Sequence, residues 1–238
     1  MKLIRSITIF ILILGAFYLV GPRVENPIFS DDIPFVPADL DSLKDWIQKK
    51  EQVLGNVRYD NESKIYFKDS IPQKTKYSVI YFHGFTASGK EGDPVHKMVA
   101  DAFDANLYVP RLHGHGLDEE EPMLNFNNED FWESGIEALE VAKRLGDKVI
   151  VLGTSHGGAL AISLASDTNI EALALFSPNI KVYDPKAALL SRPWGLQIAR
   201  LVKGGNYYYM QTDSEEKKKY WTARARLEAT TQMQKFLD

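Results

Sequence analysis

Four compact apolar runs punctuate the middle of the chain: Tyr77–Phe82, Leu107–Leu112, Lys148–Leu152 and Ala172–Phe176. Each is short and bounded by turn residues, which is how a fully buried strand reads. The first three are each followed by a stretch with apolar residues at helical spacing: Pro94–Phe103, Glu129–Leu145 and Gly157–Ala165. Strands that alternate with helices predict an α/β fold with a mostly parallel sheet. Ahead of them, Val57–Tyr59 and Lys64–Phe67 flank the turn residues Asp60–Ser63 and predict a hairpin. After Ser177 the alternation stops. Residues 180–238 contain no predicted strand; Ala187–Val202 and Glu215–Leu237 have helical spacing, separated by Gly204-Gly205 and the run Tyr207-Tyr208-Tyr209.

The N-terminus has a different pattern. Lys2 and Arg5 precede an apolar run, Ile7 to Val20, broken by Thr8 and Gly15. This predicts a membrane anchor or signal segment over residues 1–21. Small residues at the spacing a cleavage site needs are missing, which favours an uncleaved anchor with the domain on the extracytoplasmic side; cleavage would make the protein secreted. Residues 22–55 form a proline-rich tether and a short helix, Leu40 to Val53, stopped by Gly55. The main domain is expected over 56–238.

Composition narrows the field. The chain has 238 residues, a formal net charge of −4 and no cysteine. The mild negative charge gives no overall attraction to nucleic acid, so a nucleic-acid partner is not expected. A disulfide framework and a thiolate metal site are excluded.

The candidate chemistry sits between the third buried strand and its helix. Gly153-Thr154-Ser155-His156-Gly157 is a G-x-S-x-G pattern between a predicted strand and a predicted helix, the context of a nucleophile elbow. The glycines leave room for a tight turn, and the helix N-terminus offers free N–H groups to an anion. His83-Gly84-Phe85-Thr86 ends an earlier strand, where a second oxyanion donor belongs. Ser155 is therefore the candidate nucleophile, and the backbone N–H groups of Phe85 and His156 are the candidate oxyanion hole. His83 reads as a residue that orients the loop.

These motifs, together with Arg111-Leu112-His113-Gly114-His115-Gly116, resemble the α/β-hydrolase superfamily, in particular its carboxylesterase and monoacylglycerol-lipase-like branch. The resemblance covers about residues 56–238. It implies a mostly parallel sheet in strand order 1-2-4-3-5-6-7-8 with helices on both faces, and a helical cap over about 180–238. It implies an acyl-enzyme on Ser155, no cofactor, no metal, and a small-molecule ester substrate, lipid-like esters included. Trp194, Tyr207–Tyr209 and Trp221 would then line an acyl pocket or pack the cap onto the core.

The family order is nucleophile, acid, histidine. Here the only histidine after Ser155 is His156, whose side chain must point away from its neighbour's. His115 and Asp184 are poor substitutes for base and acid. The fold is therefore expected to be truncated after strand six, with Ala172–Phe176 as an open edge and with little turnover from this chain. The alternative is a non-catalytic α/β-hydrolase-fold binding protein. Two remoter readings rest on local patterns. Gly84 to Lys90 fits a phosphate-binding loop, but Glu91 stands where a hydroxyl is needed; His113, His115 and Asp118 suggest a metallo-hydrolase loop with imperfect spacing.

Overall fold

The computed structural model describes residues 2–238. Its centre is a five-stranded sheet of β1 (Lys64–Tyr66), β2 (Thr75–Phe82), β3 (Asn106–Val109), β4 (Gly146–Thr154) and β5 (Ile170–Phe176). The spatial order is β1-β3-β2-β4-β5. β1 runs antiparallel to β3, and every other neighbouring pair is parallel. Because β2, β3 and β4 are buried on both faces, their sequences are nearly continuous apolar runs rather than alternating ones.

Helices cover both faces. Helices α2 (Leu40–Leu54), α4 (Asn128–Leu145) and α5 (Ser155–Ser163) share one core with Ile80, Phe82, Val149 and Val151. Helix α3 (Val95–Ala102) lies on the other face, over Val79, Tyr81, Ile150 and Leu152. Asp39 caps α2 by accepting the Ser42 N–H, and Gly55 ends it in the left-handed conformation that a glycine adopts without a Cβ clash.

Two expectations about strands are corrected. The hairpin around Asp60–Ser63 does not form. Val57 makes only an isolated bridge to Leu117, and Lys64–Tyr66 pairs with β3 instead. The intervening residues are held by distant partners: Arg58 donates to the Trp221 carbonyl and the Thr222 hydroxyl, and Asn61 to the Lys219 carbonyl. With the first strand reduced to a bridge, the remaining order is the one the family resemblance implied. Residues 180–238 are also not wholly helical. Beside α6 (Gly195–Lys203), α7 (Glu215–Tyr220) and α8 (Leu227–Phe236), they contain β6 (Tyr207–Tyr209) paired antiparallel with β7 (Arg224–Arg226). Arg224 and Arg226 lie over the Tyr207 ring, and Arg226 also pairs with Glu121 and Glu228. These cation–π and ionic contacts hold a strand whose charged sequence gives no apolar signal.

Helix α1 (Lys2–Leu19) carries apolar side chains that stand exposed along its length. The membrane span expected in residues 1–21 is not supported: no helix among the described residues is long and apolar enough to cross a bilayer. At 1.5 Å per residue such a helix reaches only about 27 Å, and Arg5 interrupts it, whereas a span needs about 20 consecutive apolar residues. Met1 lies outside the described residues. The end of α1 is attached to the domain through Trp194. That ring stacks on Phe17 at 4.7 Å, its Nε1–H donates to the Phe17 carbonyl, and its backbone N–H donates to Pro22.

Candidate active site

Strand β4 ends at Thr154, and Ser155 opens α5 with φ of 51°. A non-glycine residue in this left-handed region is strained, which is the mark of a nucleophile elbow. The flanking glycines have steric reasons. A Cβ on Gly157 would lie 2.3 Å from the Phe82 carbonyl oxygen, and one on Gly153 would lie 2.8 Å from that of Gly157. Neither neighbour is a flexible side chain that could move aside. The loop after β5 closes the turn, where the Asn179 N–H donates to the Ser155 carbonyl at 2.8 Å.

The loop after β2 meets this turn. A methyl group on Gly84 would sit 3.3 Å from Ser155 Cβ, so the backbone leading into Phe85 lies against Ser155. Among the described residues the Phe85 N–H has no acceptor. The His156 N–H lies in the first turn of α5, where helix amides lack an intrahelical partner and the helix dipole is positive. The structure thus brings Ser155, Phe85 and His156 together at the ends of β2 and β4.

None of the histidine rings is hydrogen-bonded to Ser155 among the described residues. His156 turns inward, as adjacency to Ser155 requires. Its ring stacks on Phe131 at 4.7 Å and meets the Phe236 edge at 5.0 Å, with both nitrogens buried and unpartnered. Burial pushes its pKa down to about 3. His83 Nε2 accepts the Leu112 N–H, which leaves Nδ1 to donate to the Gly84 carbonyl. It is the loop-orienting residue the sequence suggested, and burial lowers its pKa to about 4. His115 Nδ1 bonds to the His113 carbonyl, and burial, followed by the neighbouring His83, holds this ring well below the usual imidazole range. Asp184 is occupied as the N-cap of the 3-10 turn Pro185–Ser191.

The remoter readings lose their geometry. Among the described residues, no three His, Asp or Glu side chains converge on one point. In the Gly84–Lys90 loop the Gly84 N–H, which a phosphate would need, donates to Glu91 Oε2 at 2.7 Å. The aromatic residues singled out in 180–238 pack or face solvent: Trp194 holds α1, Tyr207 donates to Glu121, and Tyr209 is exposed. A cleft of about 1030 Å³ lies beside α2 and is lined by Trp46, Tyr108, Arg111 and Met123 but not by Ser155. Its size alone has no matching chemistry; the elbow does.

Glu91 and Tyr81 were not singled out by the sequence as parts of this site. Tyr81 is a buried strand residue, and its hydroxyl meets both Glu91 Oε2 and Thr154 Oγ1 at 2.9 Å. Burial raises the Glu91 pKa above the ordinary carboxylate value, against the lowering effect of the Gly84 N–H and the Tyr81 hydroxyl.

The sequence profile described as the alpha/beta hydrolase family matches residues 79–236. No curated protein matches the chain. Among solved structures, one from work on LipS and LipT, two metagenome-derived lipolytic enzymes, superposes with a TM-score of 0.60 at 18% identity, over 76% of this chain and 69% of that one. A Paleococcus ferrophilus monoacylglycerol lipase gives 0.47 at 12% identity, over 74% and 69%. A soluble variant of the Saccharomyces cerevisiae monoglyceride lipase gives 0.48 at 13%, over 74% and 64%. With the profile matched over more than half its length, and the parallel sheet and elbow in the corresponding order, this chain belongs to the alpha/beta hydrolase family.

Proposed function

We propose that the protein is a serine ester hydrolase of the carboxylesterase/lipase type. The observation that carries this reading is the contact between the Phe85 loop and the strained turn of Ser155. Ser155 Oγ attacks the ester carbonyl, and the negative oxygen that forms accepts the N–H groups of Phe85 and His156. The C–O bond to the alcohol breaks, the alcohol leaves with a proton, and an acyl-Ser155 ester remains. Water then cleaves that ester, releasing the acid and restoring the hydroxyl.

Substrates on this reading are small esters, lipid-like ones included, in keeping with the lipolytic enzymes named for the neighbour that superposes with a TM-score of 0.60. The rings of His83, His115 and His156 are buried and none is hydrogen-bonded to Ser155, so on this reading the described residues supply the oxyanion contribution without a general base at Ser155, and turnover is slow. The exposed apolar surface of α1 supports attachment to a lipid surface.

Incubation with a fluorophosphonate, followed by peptide mass spectrometry, tests the nucleophile. The expected result is slow phosphonylation of Ser155 alone, abolished in Ser155→Ala. A chain that folds and remains unlabelled after prolonged incubation would instead be the non-catalytic binding protein.

A further inference from the structure

Resting on the serine-hydrolase reading of Ser155, we infer that Glu91 is a positioning residue of the reaction: through Gly84, Tyr81 and Thr154 it fixes the spacing between the two halves of the oxyanion hole. The two donors come from different chain segments, one after β2 and one after β4. The parallel ladder between these strands holds them in register as far as Phe82 opposite Gly153, and there it stops. Phe85 and His156 both lie beyond that point. An oxyanion hole depends on its donors being placed before the reaction, so something past the ladder must hold them.

The Glu91 carboxylate is placed to do this. Its Oε2 accepts the Gly84 N–H at 2.7 Å and the Tyr81 hydroxyl at 2.9 Å. With the Tyr81 proton committed to Glu91, the Thr154 hydroxyl donates to Tyr81 at 2.9 Å. Gly84 immediately precedes Phe85, and Thr154 immediately precedes Ser155. Gly84, Glu91, Tyr81 and Thr154 thus form a side-chain bridge that continues the β2–β4 pairing past the last backbone bond. A Cβ at position 84 would lie 3.1 Å from Glu91 Oε1, which shows how closely the carboxylate is applied to the loop. Glu91 touches the loop backbone and is not hydrogen-bonded to Ser155 Oγ, so its role is exerted through Gly84.

The test is the rate of Ser155 acylation by p-nitrophenyl acetate on the full chain, with kcat and KM measured separately and folding checked by circular dichroism. Glu91→Ala should lower kcat about tenfold to a hundredfold, the cost of a donor displaced from its working position, while KM stays within about twofold. Glu91→Gln, whose amide oxygen still accepts the Gly84 N–H, should remain within about threefold of wild type; Glu91→Asp keeps the charge but not the reach and should behave like alanine. If Glu91→Ala fails to fold, Tyr81→Phe removes one link and should lower kcat in the same direction. Equal kcat in wild type and Glu91→Ala overturns the positioning role, as does equal loss in the Gln and Ala variants. Absence of any Ser155-dependent acylation in the wild type overturns the serine-hydrolase reading, and this role with it.

Discussion

His156 offers its backbone N–H at the first turn of α5, the donor role proposed for it, while its side chain lies in the core. The ring is buried between Phe131 and Phe236 with no partner for either nitrogen, so it stays neutral when the protein is folded. In the unfolded chain an imidazole takes a proton near pH 6.5. Its folded pKa is about 3, and that of His83 about 4. Between those values and 6.5 the unfolded state binds more protons, so stability falls as the pH falls, by about 1.4 kcal/mol per pH unit for each such ring. Above pH 6.5 the effect vanishes. Denaturant midpoints at pH 8 and pH 5 should therefore differ strongly in the wild type and less in His156→Phe, which keeps the aromatic stack and removes the proton site. An identical difference in both would mean that His156 is charged in the fold. At this scale the sequence was informative where chemistry is local. Ser155, His156 and Phe85 follow from short motifs at strand ends. Glu91 and Tyr81 did not, because a strand tyrosine reaching a loop carboxylate across the end of a sheet leaves no mark on local spacing.

Among the elements, the buried strands were legible for a physical reason: parallel strands covered on both faces must be apolar at every position. β2 and β4 contain the runs read from the sequence, extended by two residues at the start of β2 and at both ends of β4; the partly buried edge strand β5 contains its run with two more residues at its start. β6 and β7 were not legible, because Arg224 and Arg226 gain their place from the Tyr207 ring and from acids far along the chain. Helix α2 shows the same dependence on distant partners. Glu51 on this helix accepts from Arg111 Nε at 2.7 Å, and both side chains are about nine-tenths buried, at 12% and 10% exposure. Glu51 also accepts the Ser63 hydroxyl, and so ties α2 to the segment entering β1. Glu51→Ala should destabilise the protein by about 3 kcal/mol, because it leaves the Arg111 charge buried and unpaired. Equilibrium unfolding in urea measures this; a loss below about 1 kcal/mol would show that solvent reaches Arg111 once α2 loosens.

For the whole molecule, exposed apolar surface rather than net charge governs contact with a lipid surface. The net charge of −4 gives no reason for attraction to anionic lipid, whereas α1 presents an exposed apolar exterior. Flotation with neutral phosphatidylcholine vesicles should carry the protein upward, with little dependence on salt, since the contact is apolar. Removal of residues 2–20 should abolish flotation and leave the circular dichroism of the domain intact. A full-length chain that stays at the bottom of the gradient would refute lipid attachment through α1.

The register of the central strands has a further consequence, in the order of events during synthesis. Thr75 of β2 lies opposite Gly146 of β4, about seventy residues later in the chain. At about 5–20 residues per second, β2 and the loop bearing Phe85 wait several seconds for β4 to be made. Through that interval one long apolar edge of β2 has only solvent or another chain to pair with. The strand that completes the proposed oxyanion hole is thus also the one that closes the nascent sheet's most exposed edge, and a pause in translation before residue 146 would prolong the period in which this protein is most prone to aggregate.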